Sequence, residues 1–201
     1  MPDAAAPRHA AVVLAAGRAR RFGARKQLLV VDGEPLVRRA VRAVLATAPV
    51  DTCVVIDRDA GEVRAAVDAM TGVRCIECAA DLMAASLRAG LDALAADAAG
   101  ALVVLADQPA LSSERLGQLV ETWRADVQRA VACLYRGSVG VPALLPRAWF
   151  PRLQPVRGDE GARSLLRAAG ADVIAIDAPE LAFDIDTPDD FARWLHARPT
   201  G

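Results

Sequence analysis

One lysine, Lys26, stands in a chain whose other basic residues are all arginine, and the only histidines, His9 and His196, lie near the two ends of the 201 residues. With both histidines near the ends, the sequence gives no support for a histidine-based catalytic triad or a histidine-ligated zinc site. Cysteine is scarce as well. Cys53 and Cys133 fall inside apolar runs, and the one close pair, Cys75-Ile76-Glu77-Cys78, has neither a second pair nor a neighbouring histidine to complete a metal site, so the thiols read as buried or incidental. No apolar run approaches the length of a membrane span, and the stretch 1–9, with Pro2, Asp3 and Pro7, lacks the apolar core of a signal peptide. The expectation is a cytoplasmic protein without a membrane partner. Excess charge of one sign is also missing: 25 acidic residues face 24 basic ones, for a net charge of −1. Nothing in that balance calls for nucleic acid, so any nucleotide bound is expected to be a small molecule.

The length suits one domain, expected over 8–197, with 1–7 and 198–201 as frayed ends. Short β-type runs at 10–15, 52–56, 73–77 and 101–106 alternate with helical patterns at 35–46, 60–69, 82–96 and 112–124. This rhythm predicts an α/β fold with a mostly parallel, doubly wound sheet. The last third is irregular. Strand-like runs at 131–135 and 141–145 flank the connection Arg136-Gly137-Ser138-Val139-Gly140, and a helix at 161–169, a strand at 173–176 and a helix at 188–195 follow.

The first strand leads into Gly17-Arg18-Ala19-Arg20-Arg21-Phe22-Gly23-Ala24-Arg25-Lys26, where glycines and clustered cations leave a strand end in a manner suited to polyphosphate. A P-loop needs Gly-Lys followed by Ser or Thr, whereas Lys26 lies between Arg25 and Gln27. A dinucleotide fingerprint needs closely spaced glycines opening a helix, and Gly17 and Gly23 are too far apart. What remains is a long irregular loop that binds a ligand, or a solvated arginine-rich turn.

Asp107, in Asp107-Gln108-Pro109, follows a buried strand, at the sheet edge where open α/β folds bind ligands. There it can hold Mg²⁺ beside a polyphosphate, or it can shape a turn before Pro109. In Phe183-Asp184-Ile185-Asp186-Thr187-Pro188-Asp189-Asp190, alternation aims Asp184 and Asp186 to one side; Asp186 is the chosen metal ligand and Asp184 the reserve. Thr187 can cap a helix beginning at Pro188, and Asp189 and Asp190 then complement its dipole without a catalytic role. Ser86, in Ser86-Leu87-Arg88-Ala89-Gly90-Leu91, reads as a cap or surface residue. Gly158-Asp159-Glu160-Gly161-Ala162-Arg163 reads as a capping turn or an anion site.

Taken in order, these motifs resemble the molybdenum cofactor cytidylyltransferases of the MobA-like nucleotidyltransferase family, over nearly the whole chain: the LAAG loop with Arg21, Gly23 and Lys26, the SLRAGL helix, the DQP turn, the GDEGAR stretch and the closing DIDTP. The resemblance implies a Rossmann-like nucleotidyltransferase fold and Mg²⁺-dependent transfer of CMP from CTP to the phosphate of molybdopterin, with pyrophosphate released. It further implies nucleotide contacts from Leu14, Ala15, Ala16, Gly17, Arg21, Lys26, Ser86 and Asp107, with Arg21, Lys26 and Asp107 in catalysis. Asp107 and Asp186 are implied as metal ligands, Asp159 and Arg163 as acceptor-side residues, and a molybdoenzyme as recipient. Ala16 and Gln108 resemble the cytidylyl branch. Departures from the family pattern stand at Ala19 in the loop, at Leu82 before the SLRAGL helix and at Val141, where relatives carry histidine or asparagine. The alternatives are GTP or another acceptor, or a non-catalytic cofactor-binding accessory protein.

Overall fold

His9–Ala15 (β1) is buried at every position, which a strand achieves only inside a sheet covered on both faces. Its side chains divide by the two-residue period. Ala11, Val13 and Ala15 enter one apolar cluster, and Ala10, Val12 and Leu14 enter the other. A computed structural model describes residues 6–17, 25–79, 82–154, 158, 161–183, 185 and 187–197.

After β1 come a 3-10 turn at Lys26–Leu28, β2 (Val30–Val31), β3 (Glu34–Pro35), α1 (Leu36–Leu45), β4 (Thr52–Asp57), α2 (Gly61–Val67), β5 (Arg74–Cys78) and α3 (Met83–Asp92). The chain continues through β6 (Gly100–Leu105), α4 (Ser113–Ala125), β7 (Ala130–Tyr135), β8 (Ser138–Pro146), a 3-10 segment at Arg147–Leu153, α5 (Ala162–Ala169), β9 (Val173–Asp177) and α6 (Pro188–Ala197). Seven strands form one sheet in the order β5-β4-β1-β6-β8-β7-β9. All neighbours are parallel except those of β8, which runs against both β6 and β7. Side chains of α1, α2 and α4 fill one cluster, and those of α3 and α5 the other. The mostly parallel, doubly wound sheet expected from the sequence is therefore present, and the broken rhythm of the last third is the reversal at β8.

Three local differences from the sequence reading have physical causes. The helix read from 35 begins at Leu36, because Pro35 pairs with Val30 in a two-residue hairpin turned by Asp32 and Gly33, both at positive φ. The connection read over 136–140 shrinks to Arg136-Gly137, again with both residues at positive φ, so β8 begins at Ser138. Finally, α3 stops at Asp92 although alanines continue the helical pattern. Asp51 accepts a hydrogen bond from the Ala95 amide at 2.8 Å, and Arg147 donates to the Ala95 and Ala98 carbonyls, so tertiary polar contacts override propensity there.

At α6 the expected cap forms: the Asp190 amide donates to Thr187 Oγ1 at 3.2 Å, and the Thr187 amide donates back to Asp190 at 2.8 Å. Cys75 and Cys78 pack against opposite clusters, so the CxxC pair straddles its strand. Burial pushes the thiols of Cys53 and Cys133 up to about 12, leaving them neutral. No helix among the described residues is long and apolar enough to cross a membrane.

Candidate active site

The chain leaves β1 to build one side of the sheet and later returns to place β6 on the other, so the switch in strand order falls between β1 and β6. A crevice opens outside the carboxyl ends of strands at such a point. The two strands stay joined as far as the Ala106 amide, which donates to the Leu14 carbonyl at 3.0 Å. Just beyond lies a crevice of about 170 Å³, lined from β1 by Leu14, Ala16 and Gly17 and from β6 by Leu105 and Asp107. Leu82, Met83 and Ser86 at the start of α3 form a third wall, and Gln27 completes the lining.

Gln27 was no candidate in the sequence. It is 3% exposed, and its Nε2 donates to the carbonyls of Ala15 at 3.0 Å and Gly17 at 2.8 Å. One side chain thus fixes the path of the chain as it leaves β1, while its Oε1 is buried with no hydrogen-bond partner among the described residues. No local pattern could have announced this brace, because its acceptors are backbone groups ten and twelve residues earlier. Lys26, half-buried, precedes Gln27 in the 3-10 turn; Gln27 lines the crevice and Lys26 does not. Arg25 is directed elsewhere, donating to the Asp59 carbonyl at 2.7 Å.

Asp107 is half-buried where β6 opens into the crevice. Its neighbour Gln108 donates to the Val141 carbonyl at 3.2 Å, and the Tyr135 hydroxyl donates to the same oxygen at 2.7 Å, tying the turn after β6 to β8. Ser86 is 4% exposed and donates to the Leu82 carbonyl at 3.4 Å, so it is a buried wall residue and not the surface residue that the helical pattern alone suggested. The depth of α3 follows from Gly90. A Cβ there would stand 2.5 Å from Val12 Cγ1 and 2.9 Å from Val55 Cγ2, so only glycine lets the helix lie this close to β1 and β4.

The stretch before α5 meets the start of α3. The Ala84 amide donates to the Gly158 carbonyl at 3.2 Å, and Gly161, at φ 53°, packs where a Cβ would be 2.8 Å from Met83 Sδ. Arg163 consequently lines an adjoining cavity that shares Leu14, Met83 and Leu105 with the crevice. Two departures from the family pattern fall in these walls, Leu82 in the first cavity and Val141 in the second. Arg21, Asp159, Asp184 and Asp186, together with Ala19, lie outside the described residues. Among the described residues no group of three potential ligands gathers for a metal, and Asp107 is the carboxylate lining the crevice.

A family model described as the MobA-like NTP transferase domain matches residues 11–173. The chain belongs to that family. Purine catabolism protein PucB of Bacillus subtilis (strain 168) is 31% identical over 196 residues, spanning 90% of this chain and 92% of PucB. Among solved structures, Rv0371c from Mycobacterium tuberculosis H37Rv superposes with a TM-score of 0.82 at 29% identity, covering 96% of this chain and all of that one. A second crystal structure of Rv0371c is a complex with manganese. A nucleotidyl transferase from Methanothermobacter, Mth528, superposes with a TM-score of 0.80 at 25% identity, covering 94% of this chain and 96% of that one. The MobA-like chain is a nucleotidyltransferase of Rossmann-like fold.

Proposed function

We propose that this MobA-like protein transfers CMP from CTP to the terminal phosphate of a molybdopterin-type acceptor. The observation that carries the reading is the meeting, in one crevice at the switch point, of the Gln27-braced turn after β1 and the Asp107 carboxylate after β6. Specificity for CTP rests on the likeness of Ala16 and Gln108 to the cytidylyl branch.

A terminal phosphate oxygen of the acceptor attacks the α-phosphorus of CTP. The new P–O bond forms as the bond from the α-phosphorus to the bridging oxygen breaks, and pyrophosphate departs with that electron pair. Little proton transfer is needed, so alignment and charge neutralisation dominate. Backbone groups from Leu14 to Gly17 receive the nucleotide, with Gly17 permitting close approach. Lys26 and Arg21 offset charge on the leaving pyrophosphate. Ser86 and Leu82 face the base and ribose. Asp107 supplies an anionic oxygen donor of the kind a hard divalent cation takes alongside phosphate oxygens, and the manganese complex of Rv0371c supports a metal in this family. Asp107, with Asp186, would hold Mg²⁺, which when bound orients the triphosphate and neutralises charge as it develops.

The direct test supplies purified protein with molybdopterin, a divalent metal and each of CTP, GTP, ATP and UTP, and follows pyrophosphate and nucleotide incorporation. The expected result is transfer from CTP, preferred by more than about tenfold in kcat/KM over GTP. Equal or better transfer from GTP overturns the choice of base. Nucleotide transfer to phosphorylated alcohols but not to molybdopterin overturns the choice of acceptor.

A further inference from the structure

Asp57 closes β4 with a carboxylate that is 3% exposed, and no other Asp or Glu among the described residues is buried. A carboxylate taken out of water needs hydrogen-bond donors around it. Its Oδ1 accepts from the Asp59 amide at 3.2 Å, and its backbone carbonyl accepts from the Ala60 amide at 2.9 Å, so the chain folds tightly through Arg58 and Asp59 before α2. The Asp59 carbonyl in that turn accepts in its turn from Arg25 Nη2 at 2.7 Å. A buried acid at the end of one strand is thereby linked to a cation of the basic loop that follows another.

The two strands are neighbours, with Ala15 of β1 opposite Ile56 of β4, so the end of β1 and the turn after β4 stand side by side on one edge of the sheet. The 3-10 turn Lys26–Leu28 is tied to both. Gln27 holds it to the Ala15 and Gly17 carbonyls on the β1 side, and Arg25, the residue before it, holds it to the Asp59 carbonyl on the β4 side. Leu28 packs against the cluster that contains Ala60 and Val63, and α2 lies against the turn. Lys26 therefore stands between two anchored neighbours. Because its own side chain is long and flexible, where its ammonium can reach is set by how firmly that backbone is held.

We infer that Arg25 and Asp57 are positioning residues for nucleotidyl transfer: through the Asp59 carbonyl they clamp the Lys26–Leu28 turn to the end of β4, so that the turn meets the polyphosphate in one fixed place. The inference rests on the reading of the basic loop as the polyphosphate side of the nucleotide site. Neither residue lines the crevice, so both act through the turn. Arg25 thus has a different task from its neighbour Lys26, although composition alone places both in one run of cations.

Arg25 belongs to neither apolar cluster, so Arg25→Ala leaves the core intact. In CMP transfer it is expected to lower kcat by about tenfold or more and to weaken CTP binding by a similar factor. The dissociation constant of CMP, which has no β- or γ-phosphate, and the acceptor KM should both stay within about twofold. Arg25→Lys recovers only part of the loss, because an ammonium lacks the guanidinium fork. Asp57→Ala should show the same split between CTP and CMP, and the double variant should fall no more than about twofold below the weaker single one, since both residues act on one carbonyl. A second readout needs no nucleotide. The Leu28 and Leu29 amides donate to the Arg25 and Lys26 carbonyls at 2.9 and 3.1 Å, and in Arg25→Ala their hydrogen exchange should quicken by about tenfold or more while the amides of β1 keep their protection. That acceleration in a protein whose wild type binds no CTP supports the clamp and fails the nucleotide reading alone. Equal weakening of CTP and CMP, a kcat left at the wild-type value, multiplicative losses in the double variant, or unchanged exchange at Leu28 and Leu29 overturns the inference.

Discussion

Gln27 illustrates how a residue without intrinsic reactivity can decide where chemistry happens. Its amide donates to two carbonyls at the end of β1, and those carbonyls belong to the segment expected to receive the nucleotide. Replacing it by alanine strips donors from buried acceptors, at a cost of about 1–3 kcal/mol, and frees the turn. Glu in its place is expected to be worse than Ala, because a carboxylate opposes the carbonyls it replaces a donor for. The expected order of CTP affinity is wild type, then Gln27→Ala, then Gln27→Glu, measured by calorimetry alongside thermal melts. Glu performing as well as Gln would remove the brace from the account. Sequence alone singled out Lys26 by its isolation among arginines and Asp107 by its place after an apolar strand, and of the two Asp107 lines the crevice. Sequence could not display Gln27, whose partners come within reach only after the chain has folded back on β1.

Elements carry the next layer. The strands and helices that hold the crevice were legible because their periods are: β1 alternates into two clusters, and α3 keeps Leu87 and Leu91 on its buried face. The hairpin of β2 and β3 was not, since two-residue strands leave no period and only Asp32-Gly33 hints at the turn. Nor did Ser86 look like a wall residue. Its burial depends on how closely α3 approaches the sheet, which Gly90 sets against Val12 and Val55. Both neighbours are buried β-branched residues with little room to move. Gly90→Ala is therefore expected to cost about 1–3 kcal/mol by overpacking, despite alanine's better helix propensity, and to weaken CTP binding by lifting α3. Denaturant unfolding checks the first effect and nucleotide titration the second. A more stable Gly90→Ala protein would mean that propensity, and not the close approach, dominates at this position.

At the scale of the whole molecule, the sheet separates stability from function. The crevice lies at the carboxyl ends of β1 and β6, while His9 opens β1 at the opposite end, 1% exposed, with its Nε2 2.9 Å from Thr47 Oγ1. Burial, with a smaller contribution from Arg124, lowers the His9 pKa to about 4. The folded pKa is thus below the unfolded value of about 6.5, so the unfolded chain binds the extra proton first. Stability from this site is complete above the unfolded value and is lost as pH falls toward the folded one. Thermal melts should drop over that interval by an amount on the order of 1–2 kcal/mol, and His9→Gln should flatten the drop. A profile unchanged by that substitution would place the acid sensitivity elsewhere.

The account as a whole depends on the carboxylate at the end of β6 meeting the triphosphate through a metal. Calorimetric titration of CTP, with and without Mg²⁺, into wild-type protein and Asp107→Ala tests it most directly. The prediction is that Mg²⁺ tightens CTP binding by about tenfold or more in wild type and that Asp107→Ala abolishes this gain while retaining weak, metal-free binding. An Asp107→Ala protein that binds CTP with the full metal-linked gain would contradict it.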